Sequence, residues 1–332
     1  MFLMLLRMIM SLSATSFYRR VTVKNKRHIE ANVPTILALN HPNAFMDPVA
    51  FSLVTYPPKH YYLARGDVFN NKMARFFLER LGLAPIYRIQ DGGKEGLQKN
   101  AETYVRVNEL LGKNKKIMVF AEGLCIQERR LRPIKKGVPR MVFGAMDQIQ
   151  NKDFVVVPVG VNYSNASKVG STVFFNIGEP IRVADHYNDY KEHPSRAYNK
   201  FVKILEQELK QLITHIDNPE RDKLVVNLEQ LLMRSMCKQQ KLNYNNPEEA
   251  YGVTKQITAI VNEAEHGHKT ELDRLNELCS DYIKKLNVLG ARDWVIDPAN
   301  KWQLNFAHLL LRVVVIIAAL PIIVRGLSLI HI

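Results

Sequence analysis

Cysteine is scarce in this chain of 332 residues, which has only Cys125, Cys237 and Cys279. An odd number with no metal-ligand spacing excludes a disulfide framework and a cysteine-built metal site, and it fits a reducing compartment. Acid is also short. Asp and Glu number 32 against 46 Lys and Arg, so the formal net charge is +14. That excess predicts attraction to nucleic acid, anionic lipid or phosphorylated molecules. No nucleic-acid-binding module and no interleaving of aromatic with basic residues is visible, so no nucleic-acid partner is expected. No Gly-x-Ser-x-Gly elbow is present, which removes the usual frame of a serine hydrolase. Repeats and low-complexity tracts are missing too, and 47% hydrophobic with 23% charged residues is globular composition.

Long apolar runs are few. Residues 306–324 form one, interrupted only by His308, Arg312 and Pro321. At about 1.5 Å per residue it reaches roughly 28 Å, close to the roughly 30 Å of a hydrocarbon core. Residues 306–330 are therefore read as a transmembrane or anchoring helix, with Arg312 snorkelling toward an interface; a buried core helix is the competing reading. The chain stops at Ser328 to Ile332 without a polar flank, which points to a truncated terminus. Residues 1–17 are rich in Met and Leu, carry Arg7 and have no small-residue cleavage site, and Arg19 and Arg20 follow. They read as an interfacial amphipathic helix on a cytoplasmic leaflet, with a plain core helix as the alternative. The expected location is a membrane, with the body of the protein facing the cytosol.

Between residues 18 and 180, short β-branched runs alternate with helix-length segments. This predicts an α/β fold, a mixed and largely parallel sheet flanked by helices. Strands are predicted over 21–23, 35–39, 61–63, 116–120, 154–162 and 172–177, and helices over 68–81, 94–111 and 138–149. Tyr198, Val202, Leu205, Leu209, Leu212 and Ile216 recur at helical spacing and predict a helix over 195–216 that closes a domain of residues 18–218. Asn218-Pro219-Glu220 and Asn246-Pro247-Glu248-Glu249 each place an N-cap before a first-turn proline, the second with a capping-box glutamate. Residues 219–300 thus form an added helical region. His266 and His268 lie within it, two apart in a polar stretch, and are read as part of a solvated face rather than as metal ligands. No metal is expected.

The chemistry-bearing block is Asn40-His41-Pro42-Asn43-Ala44-Phe45-Met46-Asp47-Pro48, directly after the apolar strand 35–39. Loops leaving the carboxyl ends of strands carry sites in open α/β sheets. A neutral histidine can take a proton from an alcohol, and a carboxylate on its other ring nitrogen fixes the tautomer. Six residues do not bring two side chains to one face of a regular helix, so His41 and Asp47 meet only if the backbone turns between them; Pro42 and Asn43 are suited to that turn.

The block resembles the first motif of the glycerolphosphate and lysophospholipid acyltransferase superfamily, usually Asn-His-x-x-x-x-Asp. This chain has one residue more, like a bacterial subgroup that reads Asn-His-Pro-Asn and ends in Leu-Asp. Either the loop is bulged and keeps the pair, or the pair is lost. A second motif, an apolar strand ending in arginine, is matched by Ala84-Pro85-Ile86-Tyr87-Arg88. The third, usually Phe-Pro-Glu-Gly and a small hydroxyl residue, stands here as Phe120-Ala121-Glu122-Gly123-Leu124-Cys125, with Ala121 and Cys125 departing. Val155 to Tyr163 resembles the family's Val-Pro-Val strand, and Gly178-Glu179-Pro180-Ile181 its downstream signature.

The resemblance implies an O-acyltransferase of phospholipid synthesis. It would move a fatty acyl group from acyl-coenzyme A or acyl-carrier protein to lysophosphatidate, glycerol-3-phosphate or a related acceptor. His41 would be the general base and Asp47 its partner, and no metal or redox cofactor is implied. Substrate binding would fall to Asn43, Arg88, Glu122 and Gly123. It would extend to Arg132, Lys135 and Lys136, which belong to a basic cluster that also reads as a solvated face. Expected partners are membrane lipids and acyl-carrier protein. Cys125 invites a nucleophile reading, against which stand direct transfer and a packing role. The rival from another class is a catalytically silent lipid-binding or membrane-tethering protein on the same fold.

Overall fold

The computed structural model describes residues 12–29, 32–55, 60–87, 89–149, 153–291 and 293. One sheet is built from β1 (Tyr18–Lys24), β2 (Thr35–Leu39), β3 (His60–Arg65), β4 (Leu83–Ile86), β5 (Lys116–Phe120), β6 (Val155–Tyr163), β7 (Ser171–Ile177) and β8 (Ile181–Arg182). Its order is β1-β7-β6-β2-β5-β3-β4, with β8 beside β6. β2 to β6 run parallel; β7 and β8 oppose β6, and β1 follows β7. The mixed, largely parallel sheet is as expected.

The helices are α1 (Met46–Val54), α2 (Lys72–Arg80), α3 (Ile89–Gly112), α4 (Gly137–Gln148), α5 (Tyr187–Glu192), α6 (Pro194–Leu212), α7 (Asp222–Gln239), α8 (Pro247–Glu265) and α9 (Lys269–Val288). β2 shows why the sheet is central. All five of its residues are buried, Ile36 and Ala38 in the core under α3, α4 and α6, Leu37 and Leu39 in the opposite core with α1. A continuous apolar run is what a parallel strand covered on both faces requires.

Strands 35–39 and 116–120 have the predicted bounds. The helix predicted over 195–216 ends at Leu212 instead, with Ile213 extended. Packing sets that end: a Cβ on Gly160 would lie 2.2 Å from the Leu212 carbonyl oxygen, so α6 stops against bare β6 backbone. Asn162 Nδ2 donates to that same oxygen at 3.0 Å, and its Oδ1 accepts from Thr214 N at 3.1 Å. A side-chain amide thus takes over the hydrogen bonding where the helix ends.

The chain divides into two units, residues 1–279 and 280–332. α7 and α8 belong to the first, and α9 continues from the first into the second. Asn218 and Asn246 cap as expected, accepting from Glu220 N and Glu248 N, both at 3.1 Å. Glu249 does not close a capping box on Asn246 N, because that group already donates to the Asn243 carbonyl; it accepts from Asn243 N and Asn246 Nδ2 instead. Residues 1–11 and 306–330 and Arg88, all named above, lie outside the described residues. Among the described residues no helix is long and apolar enough to cross a membrane.

Candidate active site

The site is assembled where β2 leaves the sheet. Asn40 is buried, its Nδ2 donating to Val161 O at 3.0 Å and its Oδ1 accepting from Val161 N at 2.7 Å. The amide acts as one more rung between β2 and β6, which fixes the exit of the chain. His41 N donates to Glu122 Oε1 at 3.0 Å, and His41 O accepts from Ile126 N at 3.2 Å. The Phe120 ring stacks on the imidazole, with centroids 3.6 Å apart and planes 19° from parallel. Main chain and ring are therefore both held by the end of β5 and the segment that follows it.

Between His41 and Asp47 the backbone turns: Met46 N donates to Asn43 O at 2.9 Å and Asp47 N to Ala44 O at 3.3 Å. Ala44 takes the left-handed conformation, φ 38°, which side-chain-bearing residues seldom adopt. The turn brings the pair together. His41 Nδ1 lies 2.8 Å from Asp47 Oδ2, so the longer spacing is a bulged loop rather than a lost contact.

Asp47 is 0% exposed, and a buried carboxylate is tolerable only when its oxygens are satisfied. Oδ2 also accepts from Asn43 N at 3.0 Å, and Oδ1 accepts from the Tyr163 hydroxyl at 2.6 Å. Because Nδ1 faces a carboxylate, it carries the proton, and Nε2 of the neutral ring is the acceptor. The His41 side chain keeps 17% exposure, enough for contact from outside. Burial, reinforced by the Asp47 charge, drives the Tyr163 phenol far above its ordinary range, so it remains a donor.

Sequence reasoning missed Tyr163 and Tyr18. The Tyr18 hydroxyl accepts from Asn43 Nδ2 at 3.2 Å, and that same nitrogen donates to Ala166 O at 2.9 Å. Both tyrosines are strand-end residues: β6 ends at the edge where β2 ends, and β1, running the other way, begins there. Only the strand order reveals this.

The remaining expected residues fall into two groups. Asn43 and Glu122 point inward. Glu122 is 6% exposed, and its second oxygen accepts from Arg132 N at 3.1 Å. Burial raises its pKa, an effect opposed by the two backbone donors. Gly123 turns with φ 66°, a conformation that favours glycine. Lys135 and Lys136 are exposed, whereas half-buried Arg132 pairs with Glu128 at 2.7 Å. Cys125 Sγ accepts from Ala44 N at 2.9 Å; burial and the nearby Asp47 and Glu122 charges raise the thiol, which disfavours a nucleophile and suits a loop tie. A cavity of about 450 Å³ borders the loop at Asn40, Pro42 and Tyr163 and extends under α7 and α8.

A family model described as Acyltransferase matches residues 20–162, which contain the His41–Asp47 pair, Glu122, β2 to β5 and all of β6 but its last residue. Residues 20–162 are thus similar to an acyltransferase family. Glycerol-3-phosphate O-acyltransferase 2 of Saccharomyces cerevisiae is 31% identical over 128 residues, which is 38% of this chain and 17% of the yeast protein. Glycerol-3-phosphate O-acyltransferase 1 of the same yeast is 36% identical over 80 residues, 24% of this chain and 10% of that protein. The chain thus spans under a fifth of each of these two relatives. A crystal structure of the 1-acyl-sn-glycerophosphate acyltransferase PlsC from Thermotoga maritima aligns with TM-score 0.42 at 14% identity, over 62% of this chain and 79% of that one. Tyr163 stands one residue beyond the matched segment, and α7 to α9 follow it.

Proposed function

We propose that the domain transfers a fatty acyl group from the thioester of acyl-coenzyme A or acyl-carrier protein to the hydroxyl of lysophosphatidate or glycerol-3-phosphate. His41 is the general base. Its Nε2 takes the hydroxyl proton as the oxygen attacks the thioester carbonyl; the tetrahedral adduct then expels the thiolate, which recovers that proton as a thiol. Asp47 holds the ring and stabilises the imidazolium. The observation that carries this reading is the 2.8 Å pair, made by a fully buried carboxylate that leaves Nε2 available.

Positioned base catalysis supplies about 10²–10⁴ in rate, and orientation and oxyanion donors supply the rest. Asn43 N, Ala44 N and Gly123 N are engaged within the protein, so the oxyanion is met by other groups. Glu122 acts by clamping His41 and Arg132 backbone rather than by holding acceptor hydroxyls. Lys135 and Lys136, with Arg132 beside them, supply positive charge for the acceptor phosphate, a task the family resemblance gives also to Arg88. The chemistry is redox-neutral and uses no cofactor beyond the acyl carrier. Residues 306–330 anchor the chain to the membrane, with the domain on the cytosolic side.

The test is acyl transfer by the full chain, with each thioester offered against each acceptor, and with His41→Ala, Asp47→Asn and Arg88→Ala beside the parent. Transfer that collapses in the first two establishes the base, and the preferred acceptor is read directly. Folded protein that transfers to neither acceptor from either carrier would be a lipid-binding protein on this fold.

A further inference from the structure

α2 departs from what a crossover helix in an α/β sheet should be. Such a helix ordinarily buries an apolar stripe, yet none of the nine residues of α2 is buried. Met73 is 70% exposed, Phe76 51% and, in the turn before the helix, Val68 46%. Phe45, in the loop that joins His41 to Asp47, is 61% exposed.

Phe45, Val68 and the start of α2 lie at one edge of the fold. β2, β5 and β3 are adjacent and parallel, so their carboxyl ends lie together. At about 4.8 Å per strand, β3 is roughly 10 Å across the sheet from β2. The turn Gly66–Phe69 leaves β3 at that edge, and α2 starts from it.

Cations accompany the apolar groups on the helix itself. Lys72, Arg75 and Arg80 lie on α2 against the single acid Glu79. The Arg80 guanidinium sits 3.7 Å above the Phe76 ring centroid, a cation stacked on an exposed ring. Lys135, Lys136 and Arg140 are exposed on the segment that follows β5 from the same edge. Apolar side chains that enter an acyl layer, flanked by cations that remain at phosphate level, match a lipid interface.

We propose that residues 66–80, together with Phe45, form a docking face for a bilayer containing anionic phospholipid. This face is separate from any spanning or anchoring segment, and it brings the His41 edge to the lipid. The proposal does not depend on the acceptor reading, because it is tested by binding.

The full chain is followed by hydrogen exchange with vesicles of phosphatidylcholine alone or mixed with phosphatidylglycerol, comparing residues 66–80 with α7. Exchange over 66–80 is expected to slow several-fold with the anionic vesicles, less with neutral ones and less in high salt, with α7 unchanged. A local readout separates this face from any other attachment. A Met73→Glu/Phe76→Glu double variant should lose the protection while keeping its circular dichroism and its rate on short-chain, water-soluble donor and acceptor. Unchanged exchange over 66–80 with anionic vesicles, or full protection in the double variant, overturns the proposal. Protection without any acyl transfer would sustain the docking face and remove the enzyme reading; transfer without protection would do the reverse.

Discussion

Tyr163→Phe removes a hydroxyl that bonds to one charged and one neutral partner, Asp47 and Tyr18. The Tyr163 hydroxyl donates to Asp47 Oδ1 at 2.6 Å, and Asp47 is fully buried, so bulk water does not take its place. Hydrogen bonds to charged groups contribute about 1.5–3 kcal/mol, against about 0.5–1.5 kcal/mol between neutral groups. Tyr18→Phe supplies the comparison, since the Tyr18 hydroxyl meets the Asn43 amide at 3.2 Å and the Tyr163 hydroxyl, both neutral groups. The urea midpoint of Tyr163→Phe should therefore fall by the larger amount. A tenfold change in rate corresponds to about 1.4 kcal/mol, so a loosened Asp47 should lower kcat about tenfold with KM little changed. Thiol release from an acyl thioester gives kcat, and urea unfolding gives the stability. Parental kcat and midpoint in Tyr163→Phe, or a greater loss in Tyr18→Phe, would refute the assignment of Tyr163 as the residue that positions Asp47.

Three further outcomes are expected. Glu122→Gln puts an amide nitrogen opposite either His41 N or Arg132 N, and should cost about 1–3 kcal/mol in urea unfolding along with most of the activity. His60 is buried with neither ring nitrogen hydrogen-bonded, and burial, with Lys116 adding to it, lowers its pKa from 6.5 to about 4. Its neutral form favours the fold, so that stability is present above pH 6.5 and is lost as pH falls toward 4. His60→Leu should therefore shrink the stability difference between pH 7 and pH 4 by about 3 kcal/mol, measured by urea midpoints at both pH values. Gly160→Ala drives a Cβ into the Leu212 carbonyl and should cost about 1–3 kcal/mol or more, seen as a Tm several degrees lower with α6 lifted from β6.

Much of this fold was legible because hydrophobic period is a local signal. The run Thr35 to Leu39 can only be a buried strand, and Asn-Pro pairs mark helix starts at 218 and 246 wherever the rest of the chain goes. His41 and Asp47 were legible as a family motif, although their meeting depended on the conformation of Ala44. What escaped was set by tertiary contact. Leu212 ends α6 because Gly160 lies beneath it, and Tyr163 reaches Asp47 because β6 adjoins β2, neither of which periodicity encodes. The sequence pattern offers Glu122 as a ligand for hydroxyl groups but carries no sign of the two backbone donors that its carboxylate accepts.

The clamp on His41 divides the site into parts that can and cannot be retuned. The amide, the carbonyl and one ring face of His41 are held by the end of β5 and the segment after it, and its inner nitrogen is held by Asp47, so a substitution in that ring of contacts displaces the imidazole itself. Lys135, Lys136, Val68 and Met73 are exposed side chains on separate segments and carry none of that scaffold. Libraries aimed at a new acceptor or a new chain length should therefore vary these outer residues and leave 40–47 and 120–126 untouched.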